Sequence, residues 1–247
     1  MASRRSADRL IASGAVLVNG LRPPPSGSLV DPERDLVTVH GRRVAPRPAS
    51  RYLAMNKPAG ALVTVADPRG RPTVFDLLDG PGAGRLFAVG RLDAATTGLL
   101  LLTDDGELAY RLAHPRYKVP KEYVAVVRGV PGRRALEALR HGLELEDGPT
   151  LPARAELLGG GGGLARVRLV IVEGRNRQVR RMLAAVGHPV ERLTRTAIGP
   201  VRLGRLRPGG WRRLRSAELA RLRLATGLAE GGRRPPGDGI GAAGRRR

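Results

Sequence analysis

The chain has 247 residues, and 44 lysines and arginines against 22 aspartates and glutamates give it a formal net charge of +22. Such a field attracts polyanions, and nucleic acid fits better than membrane. No apolar run approaches the roughly 20 residues that span a bilayer, no basic amphipathic stretch carries aromatic anchors, and Met1-Ala2-Ser3-Arg4-Arg5 has no apolar signal region. The lack of cysteine excludes disulfides and thiolate metal sites, and the four histidines show no ligand spacing, so a cytoplasmic nucleic-acid protein without a metal is expected. Lysine occurs only at Lys57, Lys118 and Lys121; nearly all the positive charge is guanidinium, whose planar fork suits phosphate.

Residues 1–44 read as a small module. Ser3 can cap a helix whose Ala7, Leu10 and Ile11 share one face, and Gly14 is a natural stop. Val16-Leu17-Val18 and Leu36-Val37-Thr38-Val39 read as strands, with Asn19-Gly20 as a hairpin-type turn. Arg4, Arg5 and Arg9 lie on or beside the helix, as a solvated face or as an RNA contact. Residues 45–50, rich in Pro and Arg, form a linker.

Residues 51–225 mix strands and helices without regular βαβ spacing, which predicts an α+β domain on a mixed, mostly antiparallel sheet. Tyr52 to Met55 reads as a strand stopping at Asn56-Lys57-Pro58, and Thr73 can cap a short helix through Leu78. Leu86 to Val89 and Gly98 to Thr103 are strands on either side of a turn. A helix follows to Ala113, then a strand from Glu122 to Arg128 and a helix from Gly132 to Leu139. Leu151 to Leu158 and Leu164 to Val172 form a hairpin around Gly159 to Gly163. No phosphate-loop or dinucleotide fingerprint is present, so nucleotide-cofactor chemistry is unsupported. Residues 226–247 are too poor in apolar side chains to fold and read as a disordered basic tail.

Two stretches carry chemistry. Gly90-Arg91-Leu92-Asp93, followed by Thr96-Thr97-Gly98, places one carboxylate in a turn between two strands. From Asn176, the stretch Asn176-Arg177-Gln178-Val179-Arg180-Arg181-Met182-Leu183 reads as a helix with Val179, Met182, Leu183 and Val186 on one face. Arg177 and Arg181 lie opposite that face, with solvent or phosphate as partners. Arg180 flanks it, about 100° from Val179, and needs a counter-ion; Asp93 is the candidate.

The order of these motifs resembles that of the RsuA/RluB-type pseudouridine synthases. The resemblance runs through Asn56-Lys57-Pro58-Ala59-Gly60, the Gly90 to Gly106 stretch, Lys121-Glu122-Tyr123, Glu173 to Met182, and Leu193-x-Arg195-x-x-Ile198-Gly199-Pro200. Ser3 to Gly20 likewise resembles the core of the S4 RNA-binding domain. That family places a further helix before this one. Either an upstream start codon, which is favoured, or a weakened module accounts for the difference.

The resemblance implies a pseudouridine synthase fold and the isomerisation of a uridine in ribosomal RNA without a cofactor. The partner would be ribosomal RNA or a pre-ribosomal particle, and the protein a monomer. Asp93 would attack at the sugar or deprotonate near it, with Arg180 as its ion-pair partner. Tyr123 would stack on the uracil and help remove the C5 proton, or else pack across strands. Leu193 would pack on the base or belong to the core. Arg91 would fill the space left by a flipped base or bind phosphate, and Lys121, with Arg111, Arg116 and Lys118, would line the RNA cleft. Thr103 to Ala109 and His114 to Tyr117 resemble large-subunit more than small-subunit enzymes. The alternative readings are a noncatalytic RNA-binding or ribosome-assembly protein that keeps the fold, and a pseudouridine synthase acting on small-subunit (16S) ribosomal RNA.

Overall fold

The structure, a computed structural model, describes residues 4–24, 27–31, 34–45, 49–78 and 86–228. It forms two compact units, one through Ser50 and one from Arg51. The first unit holds helix α1 (Arg4–Ala12) and an antiparallel sheet of β1 (Val16–Val18), β2 (Val37–Val39) and β3 (Arg42–Arg43), in that order. Asn19 and Gly20 both take left-handed backbone, at φ 52 and 82, and return Leu21 to Val18. The Asn19 side chain fixes this turn by donating to Asp35 and accepting from the Leu36 amide, each at 2.8 Å. On α1, Ala7 and Leu10 are half-buried while Ile11 is exposed. The expected Ser3 cap and the centre of the Pro/Arg linker lie outside the described residues.

The second unit carries the site. Its strands and helices run β4 (Tyr52–Lys57), β5 (Phe87–Ala88), β6 (Thr96–Thr103), α2 (Gly106–Ala113), β7 (Lys121–Arg128), α3 (Arg133–His141), β8 (Glu144–Leu145) and β9 (Gly148–Pro149). They continue with β10 (Arg154–Gly161), β11 (Leu164–Ile171), α4 (Gln178–Ala185), β12 (Val190–Ile198), β13 (Val201–Arg202), β14 (Trp211–Arg213) and α5 (Ser216–Ala225). The main sheet has the order β10-β11-β7-β12-β6-β4-β14, with β13 on β12 and β5 on β6. Every pairing is antiparallel except β12 with β6. The expected α+β architecture on a mostly antiparallel sheet is what the chain adopts.

The apolar run Leu99 to Leu102 explains the centre of this sheet. A strand with no polar alternation must be covered on both faces. Leu99 and Leu101 enter one core with Leu108, Leu112 and Leu222, while Leu100 and Leu102 enter another with Met55 and Val74. A third core joins β7, β10 and β11 to α4 through Val127, Ala155, Val167, Leu169, Met182 and Leu183.

The parallel pair depends on one glycine. Gly98 has φ +100, and a Cβ there would stand 2.3 Å from the Arg195 carbonyl oxygen and 2.8 Å from its nitrogen. Only glycine allows β6 and β12 to approach this closely. Their register sets Leu193 beside Thr96 and Arg195 beside Gly98.

Several expectations need correction. Thr73 to Leu78 is a turn: the Thr73 amide donates to Asp76 Oδ2 at 2.7 Å, but no helix follows before the described residues stop. The strand before the Asp93 turn is only Phe87–Ala88. Helix α4 starts at Gln178, two residues later than expected. The chain also stays packed past residue 225: Thr226 is buried, its carbonyl and that of Gly227 accept from Arg111 at 2.9 and 3.0 Å, and Leu228 joins the α2–α5 core. The rest of the expected tail lies outside the described residues.

Candidate active site

A cavity of about 370 Å³ opens where β6, β7 and β12 meet the loop before α4. That size falls in the range of small-molecule sites, roughly 300–1,000 Å³. Asp93 stands exposed at its mouth, in a turn closed by the Thr96 amide donating to the Asp93 carbonyl at 3.0 Å. Leu92, just before it, is buried with Tyr123 and Leu193 and anchors the turn.

The turn is held from beneath by Lys57, the last residue of β4. Its ammonium is fully buried and donates to the carbonyls of Pro58, Ala94 and Thr96 at 2.9, 3.0 and 2.9 Å. Two of these carbonyls belong to the turn that carries Asp93. Burial lowers the Lys57 pKa from 10.5 to about 8, and the Asp93 charge partly offsets that fall.

Strand alternation supplies the wall. Lys121, Tyr123, Ala125 and Val127 share the buried face of β7, and the first two line the cavity. Leu193 and Arg195 share the inward face of β12 and line it too. The opposite wall is the loop Gly174 to Gln178. Arg177 takes left-handed backbone there, at φ 48, and projects exposed at the rim, as does Arg91. The loop is fixed by Gln178, whose side chain accepts from the Arg175 amide and donates to Glu173. Arg175 reaches the carbonyls of Gly148 and Pro149 in the β8–β9 hairpin.

The structure therefore gathers Asp93, Tyr123, Leu193, Lys121, Arg91 and Arg177 around one cavity. It does not bring Arg180 there. The Arg180 guanidinium is half-buried and donates to the Val190 carbonyl at 3.1 Å, tying α4 to the start of β12, so the expected ion pair with Asp93 is not formed. Arg181 does not line the cavity: it forks onto Asp147 at 2.8 and 2.9 Å and holds that carboxyl at a pKa of about 2. Of the four cations expected along the cleft, Lys121 lines it. Arg111 instead pairs with Glu107 at 2.8 Å, Arg116 lies over the Tyr117 ring, and Lys118 is exposed in left-handed backbone away from the cavity. Arg9 is exposed on α1, and Arg4 and Arg5 open the same helix in the first unit.

Two residues were missed at the level of roles. A lysine closing an apolar strand directly before proline was the signal for Lys57. Arg195, two residues after Leu193, had to share its face of a strand.

A family model described as RNA pseudouridylate synthase matches residues 51–185. The chain belongs to that family. A Mycobacterium tuberculosis protein named as an uncharacterized RNA pseudouridine synthase is 49% identical over 230 residues, 92% of this chain and 91% of its own. The ribosomal large subunit pseudouridine synthase B of Bacillus subtilis is 42% identical over 229 residues, covering 90% of this chain and 91% of its own. A crystal structure of a pseudouridylate synthase superposes with a TM-score of 0.66 at 35% identity, over 89% of this chain and 94% of that one.

As a pseudouridylate synthase, the chain isomerises uridine in RNA: the N1–C1′ bond breaks, the base turns, and C5 is joined to C1′. A stacked uridine cannot reach a carboxylate fixed at a cavity mouth, so the synthase must take its target out of the stack, at a cost of a few kcal/mol.

Proposed function

We propose that the synthase converts a specific uridine of ribosomal RNA, in the large subunit, to pseudouridine, with Asp93 as the reacting carboxylate. The observation that carries the site assignment is the convergence of Asp93, Tyr123 and Leu193 on one cavity behind a turn pinned by Lys57. The name of the Bacillus subtilis relative supports the large subunit. Asp93 meets the sugar, as nucleophile or as base. Tyr123 and Leu193 sandwich the flipped uracil, and the Tyr123 hydroxyl assists removal of the C5 proton. Arg91 enters the gap left by the base, and Arg177 holds a flanking phosphate. In place of pairing with Asp93, Arg180 positions α4 and the loop before it, while Lys57 supplies the fixed positive charge behind the Asp93 turn.

The first unit, with α1 and its Asn19-Gly20 turn, acts as an S4-like RNA-binding module through Arg4, Arg5 and Arg9. Among the described residues no helix is long and apolar enough to cross a membrane. The synthase works as a monomer in the cytoplasm, on ribosomal RNA or a pre-ribosomal particle.

The test is a pseudouridine map of ribosomal RNA from a strain lacking the gene, before and after incubation with the purified protein. The reading expects one position restored in large-subunit RNA. Restoration in small-subunit RNA would overturn the subunit assignment, and no restoration in either would overturn ribosomal RNA as substrate.

A further inference from the structure

Two buried cations line the cavity with no acid paired to them among the described residues. Lys121 on β7 and Arg195 on β12 are 8% and 2% exposed. Arg195 Nε donates to the Leu99 carbonyl at 2.7 Å, while its Nη2 is buried with no partner. Among the described residues, Lys121 Nζ reaches only the Val119 carbonyl, at 3.2 Å. Burial and the neighbouring Arg195 charge lower its pKa to about 8. Asp93, at the mouth of the same cavity, forms no ion pair with either cation among the described residues. Two other acids are engaged elsewhere: Glu122 takes Thr196 and Arg202, and Glu173 takes Gln178 and the Leu151 amide.

Two like charges buried side by side oppose folding, and apolar residues of similar volume would serve a core better. Such an arrangement makes sense where negative charge arrives. Arg91 and Arg177, exposed at the rim, are the cations placed for phosphates. The buried pair lies among the residues that enclose the base.

We propose that Lys121 and Arg195 are catalytic residues that stabilise the uracil anion expelled when the glycosidic bond breaks. The inference rests on the family reaction and on the base occupying this cavity. When N1–C1′ breaks, the bonding electron pair leaves with uracil, which becomes an anion delocalised over N1, O2 and O4. The electron-poor sugar is met by Asp93, through a bond to C1′ or by loss of the C2′ proton to the carboxylate. After the base turns, C5 bonds to C1′, Asp93 is released or returns the proton, and the C5 proton departs as N1 gains one. The product is an isomer, and the negative charge on the base exists only between the two bonds. Donors fixed in advance around a charge that appears only then lower the barrier without tightening substrate binding.

The test compares single-turnover rates, at saturating enzyme, on transcribed ribosomal RNA made with uridine or with 5-fluorouridine. Loss of the target nucleoside is followed in nuclease digests, and RNA affinity by filter binding. 5-Fluorouracil is the more acidic base and leaves with less help. Lys121→Met and Arg195→Lys should slow the uridine RNA by roughly 10²-fold, the usual effect of removing one such donor. The 5-fluorouridine RNA should be slowed far less, with affinity held within a few-fold in both variants. Equal slowing on both RNAs, or a loss of affinity matching the loss of rate, would overturn the proposal. Should Arg195→Lys fail to fold, Lys121→Met decides alone, since it replaces a buried ammonium with an apolar chain of similar length. Inactivity of the wild-type protein on all of these RNAs would instead overturn the substrate reading on which the proposal rests.

Discussion

Asp93 is exposed, while Lys57 behind its turn and Lys121 and Arg195 in the cavity are buried, and this asymmetry sets the residue-scale chemistry. Lys57 and Lys121 both have pKa values lowered by burial to about 8. As pH rises through 8 each loses its proton, and the cavity loses the charge that favours an anion. Single-turnover rates should therefore fall above pH 8; a rate flat to pH 9.5 would contradict this. Unfolding does not explain such a fall. Between about 8 and the ordinary lysine value of 10.5 the unfolded chain binds more protons, so these two groups make folding more favourable as pH rises. The melting temperature measured alongside the rates separates the two effects. Lys57→Met should cost roughly 2–4 kcal/mol in urea denaturation, because three carbonyls lose a charged donor, and should slow turnover roughly tenfold or more. At this scale Asp93 was legible in its turn, while Tyr123 and Leu193 were legible through the motifs that carry the family resemblance; the three line one cavity. The Arg180 partner was not legible, since helical angle says which side a residue flanks and not which acceptor, here the Val190 carbonyl, waits there.

Among the elements, β6 and β12 matter most, because their parallel contact brings the Asp93 turn beside Leu193 and Arg195. Gly98→Ala would force a Cβ against the Arg195 backbone and demand a left-handed alanine. We expect a loss of roughly 2–4 kcal/mol, read by urea denaturation; a change below about 0.5 kcal/mol would show that the strands separate at little cost. Helix α5 is held by Glu218, which accepts from Arg212 at 2.7 and 2.8 Å and from the Arg215 amide. Arg212 beside it lowers the Glu218 pKa from 4.5 to about 2. Its stabilisation is therefore present above pH 4.5 and is lost as pH falls toward 2. Glu218→Gln should flatten that part of the acid-unfolding curve. Strand periods were readable wherever alternation or an unbroken apolar run was strong, as in β6, β7 and β11. Thr73 misled because a Thr followed three residues later by Asp serves a turn as well as a helix cap. The start of α4 slipped because Arg177 adopts left-handed backbone, which its sequence does not announce.

The net charge of +22 acts on the whole molecule and sets how it meets RNA before any base is read. With only one Trp, four Tyr and two Phe, rows of stacked bases cannot carry the affinity. Contacts to about 6–10 phosphates would lower affinity by roughly 10³–10⁵ between 50 and 200 mM salt on duplex-like estimates. Filter binding across that range checks this, and a flat dependence would contradict it. The central claim is chemical, and it turns on one carboxylate. Asp93→Ala should be compared with wild type on the same ribosomal RNA, measuring pseudouridine formed under single turnover and RNA affinity side by side. The account predicts no detectable pseudouridine with affinity within a few-fold of wild type. Appreciable turnover by the variant, or loss of folding and binding together, would contradict it.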